Sequence, residues 1–165
     1  MEKPRLDDVL IRAHRVGDMG IVVSRHGTLY NAEYGFDITF EAMVARIAAD
    51  FIEGFDSKTF YSRIAEYQGD VVGSAFVVPV DAASAKLRLV FVAPRMRGTG
   101  LGRRLVEDCM AFSRSAGFRR MTLWTQDILV PARKLYVSLG FHLVSSDPFE
   151  GFGCHMVNEV WERDL

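Results

Sequence analysis

The stretch Phe91-Val92-Ala93-Pro94-Arg95-Met96-Arg97-Gly98-Thr99-Gly100-Leu101-Gly102-Arg103-Arg104 joins an apolar run to an amphipathic one. Upstream, Leu87, Leu89 and Phe91 alternate with Lys86, Arg88 and the less polar Val90 and Val92, which predicts a strand over Lys86–Val92. Downstream, Leu101, Leu105, Cys109 and Phe112 form one stripe of a helix from Gly100 to about Ala116, with Gly117 placed as its C-cap. Glycines at alternate positions 98, 100 and 102 let backbone amides approach a ligand closely. The free amides of the helix's first turn, with its dipole, make an anion site. Arg95, Arg97, Arg103 and Arg104 add positive charge, and no acid lies among them. A phosphate or pyrophosphate is the guest this chemistry selects.

Two phosphate-binding motifs do not fit the loop. The dinucleotide fingerprint G-x-G-x-x-G fails because Arg103 stands where its third glycine belongs. A P-loop fails because the chain contains no Gly-Lys pair.

The rest of the chain supplies no second source of charge. At 165 residues, with 49% hydrophobic and 25% charged side chains, it fits one globular domain that needs no disulfide staple. A net charge of −1 gives no global field for nucleic acid or anionic lipid, so anion binding must come from a local cluster. Cys109 and Cys154 make neither a disulfide framework nor a zinc pair, and read as small core hydrophobes. Four histidines without paired spacing predict no metal site, and no G-x-S-x-G elbow points to a serine hydrolase. No signal peptide is recognisable, and no stretch approaches the roughly 18–20 apolar residues of a membrane span. A cytoplasmic location with reduced thiols is the expectation.

Working outward, residues 1–9 read as a flexible leader and 10–165 as a single domain. Leu10–Val16 is a first strand, and Asp18 can cap a helix running to about Asn31. Phe40, Val44, Ile47, Ala48 and Phe51 share a face of a second helix, capped by Asp37 or Thr39 and stopped by Gly54. Phe60–Tyr67 and Val71–Val80 are strands joined at the hairpin signal Gln68-Gly69-Asp70. After the long helix come a strand at Arg120–Thr125, a helix at Pro131–Leu139, and strands at Phe141–Ser146 and His155–Glu162. The order β-α-α-β-β-β-α-β-α-β-β predicts an α/β (α+β) fold: a mixed, mostly antiparallel sheet of six to seven strands with about four helices.

Arg95, Gly98 and Gly100 spell R-x-x-G-x-G, which resembles the acyl-CoA pyrophosphate motif of the GNAT superfamily of N-acyltransferases. Downstream, Ala132-Arg133-Lys134-Leu135-Tyr136-Val137-Ser138-Leu139-Gly140-Phe141 resembles the superfamily's A-x-x-L-Y-x-x-x-G-F segment. The two motifs stand in the right order, and the resemblance covers nearly the whole chain. A narrower resemblance is carried by His14-Arg15-Val16-Gly17-Asp18-Met19-Gly20, Arg25-His26-Gly27, Tyr34-Gly35, Leu123-Trp124-Thr125 and Val160-Trp161-Glu162-Arg163-Asp164-Leu165. These look like the acetyltransferase domain found fused to MarR-type DNA-binding domains. The winged module of such regulators has no room in this chain, so DNA binding is not expected. Many GNAT enzymes carry an asparagine seven residues before the tyrosine; Leu129 stands there instead.

The resemblance implies acetyl-CoA as co-substrate and direct acyl transfer to an amine of a small molecule or peptide. Arg97, Gly98, Thr99, Gly100, Leu101, Gly102 and Arg103 would bind its pyrophosphate, and the main chain of Phe91 and Val92 its pantetheine arm. Tyr136 would be the general acid for the departing thiolate. The strand ahead of the loop offers Lys86 and Arg88 where the superfamily often has a basic glutamate, which leaves His26 and Glu33 of the first helix as candidates for the base. Tyr30, Tyr34, Phe36 and Trp124 are candidate walls of the acceptor pocket, although aromatic residues at such spacing are more often core. No metal, nucleic-acid or membrane partner is expected, and a homodimer is left open. A non-enzymatic acyl-CoA-binding sensor or interaction module is the alternative to an enzyme.

Overall fold

The computed structural model describes residues 4–165. Strand β1 (Leu10–Arg12) leads into helices α1 (Asp18–Tyr34) and α2 (Ile38–Glu53), then strands β2 (Tyr61–Tyr67), β3 (Asp70–Pro79) and β4 (Ser84–Val92). Helix α3 (Leu101–Ser115), β5 (Arg120–Gln126), α4 (Val130–Ser138), β6 (His142–Gly151) and β7 (Cys154–Asp164) follow. The strands form one sheet in the order β1-β2-β3-β4-β5-β7-β6, parallel only at β4–β5. Element order and fold class are those the sequence predicts.

The two faces of the sheet carry different cores. On one, Leu101, Leu105, Val106 and Cys109 of α3 and Tyr136 of α4 pack against Ala85, Leu87, Met121 and Leu123. On the other, Met19, Val22, Ala48 and Phe51 of α1 and α2 cover Ile64, Phe76 and Phe91. An aromatic cluster of Phe36, Phe40 and Phe152 closes the far end of that second face.

A bulge in β4 sets what lies where. Phe76 pairs with Arg88 and Ser74 with Phe91, so two steps on β3 oppose three on β4. Leu89 holds the extra residue's conformation with φ 50°, and the buried Ser74 hydroxyl donates to its carbonyl at 2.6 Å. Before the bulge, Ala85 and Leu87 face α3 and α4; after it, Val90 and Val92 do, while Leu89 and Phe91 turn to α1 and α2. Arg88, opposite Phe76, joins Leu89 on the α1–α2 face.

Several local expectations are corrected. Strand β1 stops at Arg12, short of Val16, and α1 runs on to Tyr34. Asp18 does not cap α1: Gly17 occupies that position with φ 95°, and the Asp18 carboxylate accepts from Arg12 at 2.7 Å and from the Arg15 amide at 2.6 Å. Residues 1–3 of the expected leader lie outside the described residues, but Leu6–Asp8 form one 3-10 turn and Leu6 and Val9 pack on the core. Strand β6 extends through Pro148 to Gly151, tolerated because β6 is the sheet edge. Asp37 does cap α2, accepting from the Thr39 amide at 2.9 Å, and Gln68-Gly69 does make the β2–β3 turn, with φ 54° and 80°.

Arg12 and Asp18 have side chains only 12% and 6% exposed, and Arg12 also bonds Glu66 at 3.1 Å, so losing Asp18 removes one of the two carboxylates that meet this guanidinium. Asp18→Ala is expected to cost about 1.5–3 kcal/mol, the worth of hydrogen bonds to a charged group, read as a lower urea midpoint with an unchanged slope.

Candidate active site

Pairing between β4 and β5 ends at Lys86 with Thr122, after three residues of contact. Beyond that point the strands part, and a cavity of about 460 Å³ opens between them. Leu87–Val92 of β4 and Leu123–Gln126 of β5 form its sides. The glycine loop and the start of α3 close one end, and α1 and α2 roof the other.

At the loop, Gly98 and Gly100 adopt φ 74° and 89°, a region that side-chain-bearing residues rarely enter. Gly100 is the N-cap of α3 and leaves that helix's first amides without a capping side chain on Gly100 itself. Gly98, Gly100, Leu101, Gly102 and Arg103 all line the cavity, as do Phe91 and Val92. Thr99 does not: its hydroxyl donates to the Met96 carbonyl at 2.7 Å and accepts from the Leu101 amide at 3.3 Å, so it holds the turn. The arginine cluster divides. Arg95 and Arg104 are bound to Asp70 and Asp108 at 2.7 and 3.0 Å, whereas Arg97 and Arg103 line the cavity.

Tyr136 of α4 also lines the cavity. Helix α4 ends in a Gly140 turn with φ 84°, where the Phe141 amide donates to the Tyr136 carbonyl at 3.0 Å. The Phe141 ring stands edge-on to Tyr136 at 5.8 Å, which fixes the phenol's placement. The Tyr136 hydroxyl has no hydrogen-bond partner among the described residues, although the side chain is 6% exposed. Burial pushes its pKa well above the ordinary phenol value.

His26 and Glu33 also line the cavity, but neither is a ready base. The His26 ring stacks on Tyr30 and meets Phe91 edge-on, and its Nδ1 lies 2.8 Å from the Val22 carbonyl. A carbonyl can only accept, so Nδ1 carries the hydrogen and Nε2 the lone pair. Burial lowers the His26 pKa to about 4. Glu33 is paired with Arg97 at 2.7 Å across the mouth. Tyr30, Tyr34 and Trp124 line the cavity as expected; Phe36 is buried in the aromatic cluster instead. Sequence reasoning missed the contributions of Phe40, Met43 and Ile47 from α2 and treated Arg88 only as a missing base. Leu129, in place of the family asparagine, adds an apolar wall. No cluster of metal-ligating side chains occurs among the described residues.

The buried histidine has a linkage consequence. Between pH 6.5 and about 4 the unfolded chain takes up a proton at His26 that the folded chain refuses. Stability is therefore lost as pH falls through that window, by up to about 3 kcal/mol. His26→Gln removes the titration, so its unfolding free energy should fall less steeply between pH 6.5 and 4, whatever its absolute stability. Equal slopes in urea melts would show that His26 is not held neutral.

Comparison with known proteins places this geometry. Residues 27–141 match the acetyltransferase (GNAT) family. The chain is 29% identical over 113 residues to an uncharacterized N-acetyltransferase of Schizosaccharomyces pombe, covering 68% of this chain and 69% of that one. It is 35% identical over 81 residues to the uncharacterized N-acetyltransferase YjgM of Escherichia coli, and the match spans 47% of this chain and 48%, about half, of that relative. An acetyltransferase from Streptococcus agalactiae shares the fold with TM-score 0.77 at 21% identity, over 97% of this chain and 100% of its own. A putative acetyltransferase from Salmonella typhimurium, solved with its cofactor acetyl-CoA, does so at 0.72 and 19%, over 96% and 94%. The chain belongs to the acetyltransferase (GNAT) family.

Proposed function

We propose that this chain transfers an acetyl group from acetyl-CoA to a primary amine of a small molecule or peptide, by direct attack on the thioester. One observation carries the reading: the glycine loop, the unpaired edge of β4 and the free Tyr136 hydroxyl all open into a single cavity. Arg97, Arg103 and the amides from Gly98 to Gly102 would hold the pyrophosphate. The main chain of Phe91 and Val92, beyond the last β4–β5 pair, would bond the pantetheine amides as an added strand does. An amide of the same edge, aimed at the thioester oxygen, would stabilise the negative charge that develops there.

Tyr136 would return the proton. As the amine nitrogen bonds to the acyl carbon and the C–S bond breaks, the phenol donates to the departing thiolate, the nitrogen's surplus proton leaves to water, and the phenol is reprotonated from solvent. A phenol keeps that proton through the neutral range. The amine must first shed its own proton. Arg97 compensates Glu33, and a histidine with pKa about 4 is a weak base. We therefore assign the step to water, helped by apolar walls that lower the amine's own pKa. The same scarcity of bases favours the second reading, an acyl-CoA-binding module without turnover. Thiol release from acetyl-CoA across an amine panel separates the two.

We read the motifs at 14–20 and 160–165 as kinship with the domains fused to MarR-type regulators. A cytoplasmic protein acting without nucleic acid or membrane, alone or as a homodimer, completes the proposal. No helix among the described residues is long and apolar enough to cross a membrane.

Acetyl-CoA at about 100 times its Kd should stabilise the fold by about 2.7 kcal/mol, raising Tm by roughly 5–10 °C. A shift with NAD or ATP and none with acetyl-CoA would reassign the loop. Tyr136→Phe should lower kcat roughly 10–1,000-fold while the acetyl-CoA shift stays the same. An unchanged kcat would reduce Tyr136 to packing.

A further inference from the structure

Among the described residues, four charged side chains line the cavity: Glu33, Arg88, Arg97 and Arg103. Three have partners. Glu33 and Arg97 hold each other at 2.7 Å, and Arg103 reaches Glu107 at 3.4 Å and Ser138 at 2.8 Å. Arg88 has no hydrogen-bonded or ion-paired partner among the described residues, yet it is half-buried. Asp50 of α2 exerts a pull on it without forming an ion pair, and burial works against its charge. An unpaired guanidinium drawn out of water is costly unless an anion meets it.

The β4 bulge sets Arg88 on the same face as Phe91. Regular alternation would set Arg88 and Leu89 on opposite faces; the bulge puts both on the α1–α2 face. Arg88 thus stands about 7 Å along the sheet from Phe91, because their partners Phe76 and Ser74 are two residues apart on β3, and the thioester would lie at the Phe91 main chain. Around it the roof is apolar: Phe40, Met43 and Ile47 of α2, with Trp124 across the gap. Among the described residues, no uncompensated carboxylate lines this half to receive a second ammonium.

We propose that Arg88 binds an anionic group on the acceptor itself, so that the acceptor class is a small amine bearing its own carboxylate, as a free amino acid with an apolar side chain does. Guanidinium and carboxylate match as a planar, two-point pair. The pairing orients the amine toward the thioester, and the apolar roof takes the side chain. The proposal rests on the acetyl-transfer reading above and names its acceptor.

The test compares acetylation of phenylalanine and leucine with that of their amides, their decarboxylated amines and a dipeptide of each. Wild-type kcat/KM should be roughly 10–100-fold higher for the free amino acids, the usual worth of a hydrogen bond to a charged group. Arg88→Met should erase that gap, and Arg88→Lys should restore part of it. A gap that survives in Arg88→Met, or a wild-type preference for the uncharged amines, overturns the proposal while leaving acetyl transfer intact. Calorimetry provides a readout independent of turnover. N-acetylphenylalanine should bind the wild type roughly 10–100-fold more tightly than its amide does, and Arg88→Met should remove the difference. If no amine turns over, acetyl transfer fails; equal binding of acid and amide by the wild type refutes the anion site separately.

Discussion

The parting of β4 from β5 is the constraint on which the rest of this molecule depends. A parallel pair that stops after Lys86 and Thr122 leaves the edge of β4 facing space where a strand would otherwise lie. Main-chain donors and acceptors inside a protein need partners, so on the proposed function an elongated ligand with its own amides would complete the ladder that β5 abandons. The bulge at Arg88–Leu89, held by the Ser74 hydroxyl, gives the same strand a second task. It directs Val90 and Val92 into the α3–α4 core while Arg88 and Leu89 serve the other face. One strand thereby takes part in both cores and in the wall of the cavity.

Around that gap, each neighbouring element brings one chemical ability. Helix α3 starts at a left-handed glycine and presents its first turn to the cavity. Helix α4 ends in the Gly140 turn, and that turn, with Phe141, sets the phenol of Tyr136. Helix α1 brings a neutral imidazole and a carboxylate that straps the glycine loop through Arg97. The strap joins residues 64 apart in sequence, so α1 and the loop are held together by charge as well as by packing.

Much of this was legible in the sequence, because the relevant signals are local. Alternation in β4, the apolar stripe of α3, the Gln68-Gly69 turn and the Asp37 cap each depend on residues within one turn or strand. The cavity walls at Tyr136, Arg97 and the alternating glycines were legible as well. What escaped depends on distant partners. Asp18 reads as a cap until Arg12 is seen to claim its carboxylate. Arg95 reads as a phosphate ligand until Asp70 arrives from β3. Thr99 sits inside the motif yet spends its hydroxyl on the turn. The bulge is invisible to a period-two reading, which expects strict alternation and so puts Arg88 and Phe91 on opposite faces.

A crystal structure of the protein with acetyl-CoA tests the central claim most directly. The account predicts the pyrophosphate on the Gly98–Gly102 amides, the pantetheine arm bonded to the Phe91–Val92 main chain, and the thioester sulfur beside the Tyr136 hydroxyl. Acetyl-CoA bound elsewhere, or seated on the loop with its thioester turned away from the gap between β4 and β5, would contradict it.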